Sequence, residues 1–453
     1  MGRDNMKACN RKNNDFWKQL FLICIYRILL DVVYVKGVVP TYSYAGFFAH
    51  KDIIVDVAGW IIYLIYTIRL ITVGRENNVT FSKTVVYTLF LLIYAPFSIM
   101  VSHGMYTVKF VVSYNIYWFV FIFFLAFVSR YRQKRRIRIK NEINTEKLIY
   151  VFGFSSLVLI MFISWKYTGF RVSTDLINVY DLRSDAANYN IPTILRYLFG
   201  WTRVINLMCF LYALIQNNRH MTVLFFFNQL LSFGIDGMKS SLLILFLALA
   251  IYILYRFKMY FNSYNLLALG INVVSMASII EMIVTKSKWI VYLVFFRMEF
   301  LPVHIGSQFF DFFTKHEPDY YRTSFLRLFG VQSPYMNINY MISGLYSGDY
   351  ASEANNGLIS DAITNMGYVG IIIMPLILVL FLRVFDRYSQ GIHTYYLLVL
   401  GIYYAIVLSN MFFLPSLLTG GWIIVLLLVS FLGGKRSYVF SDRQSSALRK
   451  VKV

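Results

Sequence analysis

Carboxylates, histidine, cysteine and proline are all scarce in this chain of 453 residues, and the scarcity closes off several classes of protein. Aspartate and glutamate number 22 against 43 lysines and arginines, and no paired acids stand at the spacing of a metal-dependent sugar-nucleotide site. The six histidines are scattered, which argues against a histidine metal centre; no metal and no cofactor is expected. The three cysteines, Cys9, Cys24 and Cys209, fall in the N-terminal stretch or inside apolar segments, so no disulfide framework is implied. Metalloprotease, P-loop and dinucleotide fingerprints are missing. A cleavable signal peptide is not expected either: the first apolar segment is about 20 residues long, follows lysines and arginines, and lacks a small-residue cleavage site.

What the chain has instead is apolar surface. Hydrophobic residues make up 58% and aromatic residues 19% of it, more than a water-soluble domain can hide but a composition that a bilayer solvates. The pattern predicts an all-α, polytopic integral membrane protein of about 12 transmembrane helices. The expected spans are 16–35, 52–71, 83–101, 109–128, 148–166, 192–216, 221–235, 240–256, 264–284, 361–382, 394–413 and 417–432. Residues 1–453 then form a single polytopic membrane domain, with two longer external loops at 168–190 and 285–360. The net charge of +21 reads as topology rather than as affinity for nucleic acid. Arg130, Arg132, Lys134, Arg135, Arg136, Arg138, Lys140 and Lys147 crowd one connection, which fixes that side as cytoplasmic and, with an even number of crossings, both termini with it. Binding of anionic lipid is the other reading of that loop.

Charges inside spans need partners or a wet cavity. Arg27 and Asp31 stand one helical turn apart and are expected to pair on one helix face. Arg196 and Arg203 share a face and cannot pair with each other; they mark an anion site near the outer leaflet, or Arg196 reaches to the interface. The segment 221–235 is short, so Asp236 and Lys239 are expected in a depression. There Lys239, opening a helix with free N–H groups, either contacts a phosphate or pairs with Asp236.

The external loops carry the remaining chemistry. In 168–190, Arg171, Asp175, Tyr180, Asp181, Arg183 and Asp185 alternate cation, carboxylate and ring, a mixture suited to sugar hydroxyls and phosphate and also ordinary for an exposed loop. In 285–360, an apolar stretch around Arg297 is broken by Pro302 and followed by His304, an aromatic run, Arg322 and Arg327. The stretch then closes on Asn355-Asn356-Gly357 and Asp361. Converging arginines offer fixed charge to a diphosphate: at about 4 Å one unit pair is worth roughly 4 kcal/mol at an effective dielectric of 20, before desolvation. Asn356-Gly357 reads equally as a helix-start turn, with Asp361 in a first turn where negative charge is favoured. His304, Asp185 and Asp361 all stay open as a general base.

The chain resembles the Wzy-type oligosaccharide repeat-unit polymerases of bacterial O-antigen and capsule synthesis. The likeness rests on Arg27 with Asp31, Tyr180-Asp181-Leu182-Arg183, Gly237-Met238-Lys239-Ser240, and Arg297 to Pro302 with Asn355-Asn356-Gly357, Asp361-Ala362, Gly367 and Gly370. The arginine-to-glycine spacing shared by both outer loops of some members is missing at Arg171, Arg183, Arg297 and Arg322. The resemblance implies a GT-C-like lipid-linked glycosyltransferase architecture in the bacterial cytoplasmic membrane. Its partners would be undecaprenyl-diphosphate-linked oligosaccharides, membrane lipid, a chain-length regulator and a flippase, with no nucleic acid. It implies glycosyl transfer with Arg297, Arg183, His304 and Asp361 as catalytic residues, and with Lys239, Arg171, Arg203, Arg322, Asn356 and Tyr180 as substrate contacts. An O-antigen ligase and a lipid-linked oligosaccharide flippase are the rival readings.

Overall fold

A computed structural model describes residues 2–73, 79–131, 145–171, 185–186, 188–256 and 263–432. Every regular element among them is helical. The chain divides into two compact units, one built from 1–133, 260–384 and 404–414, the other from 134–259, 385–403 and 415–453.

In the first unit, α1 (Gly2–Val33) runs on through a π-helical turn, Tyr34–Val38, to Tyr42. The next helix, α2 (Ile53–Thr72), starts where Asp52 accepts hydrogen bonds from the N–H groups of Ile54 and Val55, two donors that a helix start leaves free. Its outward face carries Ile54, Val57, Ile61, Ile65 and Ile68, and its buried face Tyr63, Tyr66 and Thr67. Apolar side chains outward and hydroxyls inward is the polarity that lipid selects. α3 (Phe81–Ser102) is buried on nearly every face and has a π turn at Phe90–Tyr94. α4 (Val108–Ser129) follows, capped by Thr107.

The second unit holds α5 (Thr145–Ile163), α6 (Thr193–Ile215), α7 (Arg219–Asp236) and α8 (Lys239–Arg256). Gly237, at φ 63°, ends α7 in the left-handed conformation that suits glycine and donates its N–H to the Phe233 carbonyl.

The chain then re-enters the first unit with α9 (Ser263–Val284), which packs along α1. A ten-residue π segment, Val291–Phe300, leads into α10 (Leu301–Phe313), and α11 (Ile338–Ser347) follows. The stretch expected as an external loop is therefore largely folded. α12 (Ile359–Tyr388) is broken at Gly367, where φ 60° and ψ −150° are not helical. α13 (Thr394–Asn410) precedes α14 (Phe413–Thr419) and α15 (Trp422–Leu432), a pair bent by 60°.

Seven of these helices are long and apolar enough to cross a bilayer, eight if the bent pair counts as one. The protein is thus all-helical and membrane-embedded. The remaining expected spans are shorter or more charged: α1 carries Lys18, Arg27 and Asp31 along its apolar stretch.

Candidate functional site

The π segment Val291–Phe300 organises the site in the first unit. Its approach is fixed by Glu281 of α9, whose carboxylate accepts hydrogen bonds from the N–H groups of Trp289 and Ile290 at 2.8 and 2.9 Å. Phe296 stacks flat on Tyr42, ring centres 3.6 Å apart, so the segment lies against the chain leaving α1. One residue on, Arg297 is exposed; its guanidinium donates to the Tyr292 hydroxyl at 3.2 Å and lies 5.5 Å from that ring. Burial pushes the Tyr42 phenol up to about 12, Tyr44 and Tyr292 adding to the effect and Arg297 opposing it. Lys288 donates to Thr41 at 2.7 Å, placing a second cation beside the same tyrosines. The result is a basic, aromatic surface on a framework of stacked rings, able to hold an anion and to stack on a sugar ring.

His304 lies one turn into α10. Its ring packs on Phe47, centres 4.9 Å apart, and its Nδ1 is buried with no hydrogen-bond partner. Gly306 lets the next element approach: a Cβ there would lie 3.3 Å from the Asn356 amide nitrogen. Asn356, 6% exposed, donates to the Pro302 carbonyl at 2.7 Å and accepts from Gly357 N at 2.8 Å. Asp361, 1% exposed, accepts from Phe413 N at 2.6 Å and from the Asn365 side chain at 2.7 Å. Both residues clamp the start of α12, Asn356 to α10 and Asp361 to Phe413.

The Thr364 carbonyl of α12, close before the break at Gly367, and the neighbouring Asn365 side chain accept from the segment after α10. Asp319 N donates to the Thr364 carbonyl at 2.6 Å, and Tyr321 N to the Asn365 side chain at 3.0 Å. Arg322 is engaged in holding this segment: its guanidinium donates to the Asp319 and Pro318 carbonyls and to Glu317 at 2.9 to 3.1 Å. The hydroxyls of Ser360, Thr364 and Tyr117 are buried without hydrogen-bond partners.

Arg27 and Asp31 do not pair with each other, contrary to their spacing. Arg27, 1% exposed, donates to Asp56 at 3.3 Å and to the Ser98 and Ser102 hydroxyls at 3.1 Å, with Trp60 4.1 Å from its guanidinium carbon. Asp31 takes His103 at 2.7 Å and Lys51 at 2.8 Å, and Lys51 also reaches Asp56 at 3.3 Å. Burial works against the Lys51 ammonium, but the two aspartates outweigh it and hold its pKa above the ordinary lysine value. The Tyr34 ring sits about midway between this network and the π segment, 5.2 Å from His103 and 5.0 Å from Phe300. Sequence reading missed Lys51, Asp56 and His103. Asp56, the carboxylate inside the first turn of a span, was the available signal.

Compared with family models, curated proteins and solved structures, the chain matches none.

The other expected site residues lie in the second unit. Arg203 pairs with Asp236, donates to the Met238 sulfur at 2.9 Å and lies over Phe199. Arg203 and Arg196 thus have separate partners, and the Lys239 side chain lies outside the described residues. Arg196 donates to the Tyr189 carbonyl at 2.8 Å and lines an open hollow with Asn190, Thr193, Tyr197 and Thr419. Arg171 pairs with Asp185 at 2.6 Å. Lys239 is the first residue of α8, as expected. Tyr180 and Arg183 lie outside the described residues. Between α6 and α7 a buried amide cluster is new: Asn206 donates to Gln229 at 2.6 Å and accepts from Asn228 at 3.0 Å, and the Asn228 oxygen and Ser232 hydroxyl have no partner.

Proposed function

We propose that this protein is a Wzy-type polymerase of the bacterial cytoplasmic membrane, crossing it twelve times with both termini in the cytoplasm. It transfers a growing glycan from its undecaprenyl diphosphate carrier to a sugar hydroxyl of an incoming lipid-linked repeat unit, at the outer face. The observation that carries this reading is Arg297, an exposed guanidinium on a buried π segment, set among Tyr42, Tyr44 and Tyr292 with Lys288 beside them. The positive charge serves the diphosphate and strengthens its hold as the leaving group departs; the rings serve the sugars. Arginine stays protonated at neutral pH, so its contribution is electrostatic, not proton transfer. Asn356 acts by holding α10 to the start of α12, and Asp361 by holding that start to Phe413.

Purified protein in liposomes, given undecaprenyl-diphosphate repeat units alone, then yields a ladder of lengthened glycans. Arg297→Ala abolishes the ladder while leaving the protein folded in the membrane; a ladder that survives removes Arg297 from the site. The buried amide cluster of α6 and α7 supports a second reading, a lipid-linked oligosaccharide flippase, because polar groups midway along helices are what a transport path requires. Movement of repeat units across the liposome without lengthening selects it.

A further inference from the structure

Glu299, in the π segment Val291–Phe300, is 0% exposed. Its Oε2 lies 2.9 Å from the Tyr26 hydroxyl of α1, and its Oε1 has no hydrogen-bond partner. The same Tyr26 hydroxyl lies 3.3 Å from the Leu91 carbonyl, midway along α3, so the carboxyl is held within the layer of the spans and not at their ends.

The Leu91 carbonyl needs an outside donor, for a reason written in the sequence. In an α-helix it would accept from Ala95 N, but the π turn Phe90–Tyr94 gives that N–H to Phe90. The π-helical partner would be residue 96, which is Pro96 and has no N–H. Tyr26 therefore has two acceptors in reach and a single hydroxyl hydrogen. Both contacts are hydrogen bonds only if Glu299 supplies the second hydrogen: Glu299 Oε2–H donates to Tyr26, and Tyr26 O–H donates to Leu91.

Among the described residues, no cation is paired with an ionised form. Glu299 makes no ion pair among the described residues. The nearby Arg27 of α1 is turned to Asp56, Ser98 and Ser102. Arg297, on the same segment, is turned to Tyr292, and His304 packs on Phe47. From α2 the group on this side is the Tyr63 phenol, which interacts with Tyr26, and from α3 it is the Leu91 carbonyl itself. An unpaired buried carboxylate is among the costliest groups a protein can hold.

We propose that Glu299 is a resident proton-binding site inside the membrane layer, its proton held by the hydrogen-bond chain from Glu299 through Tyr26 to the Leu91 carbonyl. The ligand is a proton, and the site is independent of the glycosyl-transfer reading. A π segment suits such a site, because the widened turn changes which carbonyls are free.

Infrared spectra of the purified protein at mildly alkaline pH test it. Wild type shows the carbonyl stretch of an un-ionised carboxyl, and Glu299→Gln lacks it. Gln keeps a donor at the same place, so that variant retains wild-type thermal stability, whereas Tyr26→Phe keeps the band but moves it to higher frequency. Absence of the band from wild type overturns the proposal. So does its loss on adding sodium or potassium, which would make the site a cation site. Destabilisation by Glu299→Gln also overturns it, since the fold would then depend on the anion.

Discussion

Arg27 shows how far a single charge can be read from sequence. That an arginine within a span needs partners follows from the cost of burying it, and the partners are there. Which ones was not legible. A helical Arg–Asp pair one turn apart is worth only about 0.2–0.5 kcal/mol, so tertiary partners easily outcompete it. Asp56 of α2 and two serine hydroxyls of α3 win Arg27, leaving Asp31 to Lys51 and His103. Arg27→Met therefore leaves Asp56 short of its buried partner and costs about 3 kcal/mol, near the lower end for a broken buried pair because Asp56 keeps Lys51 and some solvent. Thermal unfolding in detergent reads this as a clear loss. Lys51→Met touches the most exposed member of the network and costs less than about 1 kcal/mol. If the two variants melt alike, the network is not a buried one.

At the scale of elements, periodicity located the long apolar helices, but neither α10 and α11 within the expected loop nor the departures from α geometry. The four π segments among the described residues carry the same apolar pattern as the turns around them, and nothing in a hydrophobic period announces an i→i+5 bond. The Asn355–Gly370 stretch was legible as turn and helix start, whereas the fold-back was not, because it depends on backbones approaching from distant positions. A Cβ at Gly370 would lie 2.1 Å from the Ala362 carbonyl, and one at Gly357 would lie 2.0 Å from the Leu408 carbonyl. Neither neighbour is a side chain that can swing away. Gly370→Ala and Gly357→Ala are each expected to cost at least about 3 kcal/mol, as forced overpacking against backbone does. Gly270, where an added methyl would meet nothing within 4 Å, is the control: Gly270→Ala in α9 is neutral or stabilises by about 0.5–1 kcal/mol through helix propensity. Melting temperatures of the three variants check the ranking, and equal values would mean that the fold-back does not form.

For the whole molecule, composition alone established a membrane protein, and lipid-facing rows such as that of α2 agree with it. The count of crossings is harder, since α1 with three charges along its apolar stretch, α7 with its polar Asn228 and Gln229, and the short α13 read as spans by pattern yet are not apolar and long enough to cross on their own. One contact bears on the order of ends within the first unit. Arg383, late in α12, donates at 3.5 Å to the carbonyls of Val128 and Tyr131, where α4 terminates. An arginine completing the carbonyls of a neighbouring helix end is favourable, and it sets the last turns of both helices at one level. On the proposed topology, in which lysine and arginine mark the cytoplasmic side, the basic connection beginning at Arg130 puts that level in the cytoplasm. The same topology proposes that the chain beyond the Gly367 break, with Ser352 and the Arg297 surface, faces outward. Single cysteines test this in a background where Cys9, Cys24 and Cys209 are replaced by serine. A membrane-impermeant maleimide applied to intact cells labels Ser352→Cys and leaves Arg130→Cys unmodified until the membrane is opened. Labelling of Arg130→Cys from outside, with Ser352→Cys protected, would turn the Arg297 surface to the cytoplasm and separate it from any glycan assembled at the outer face.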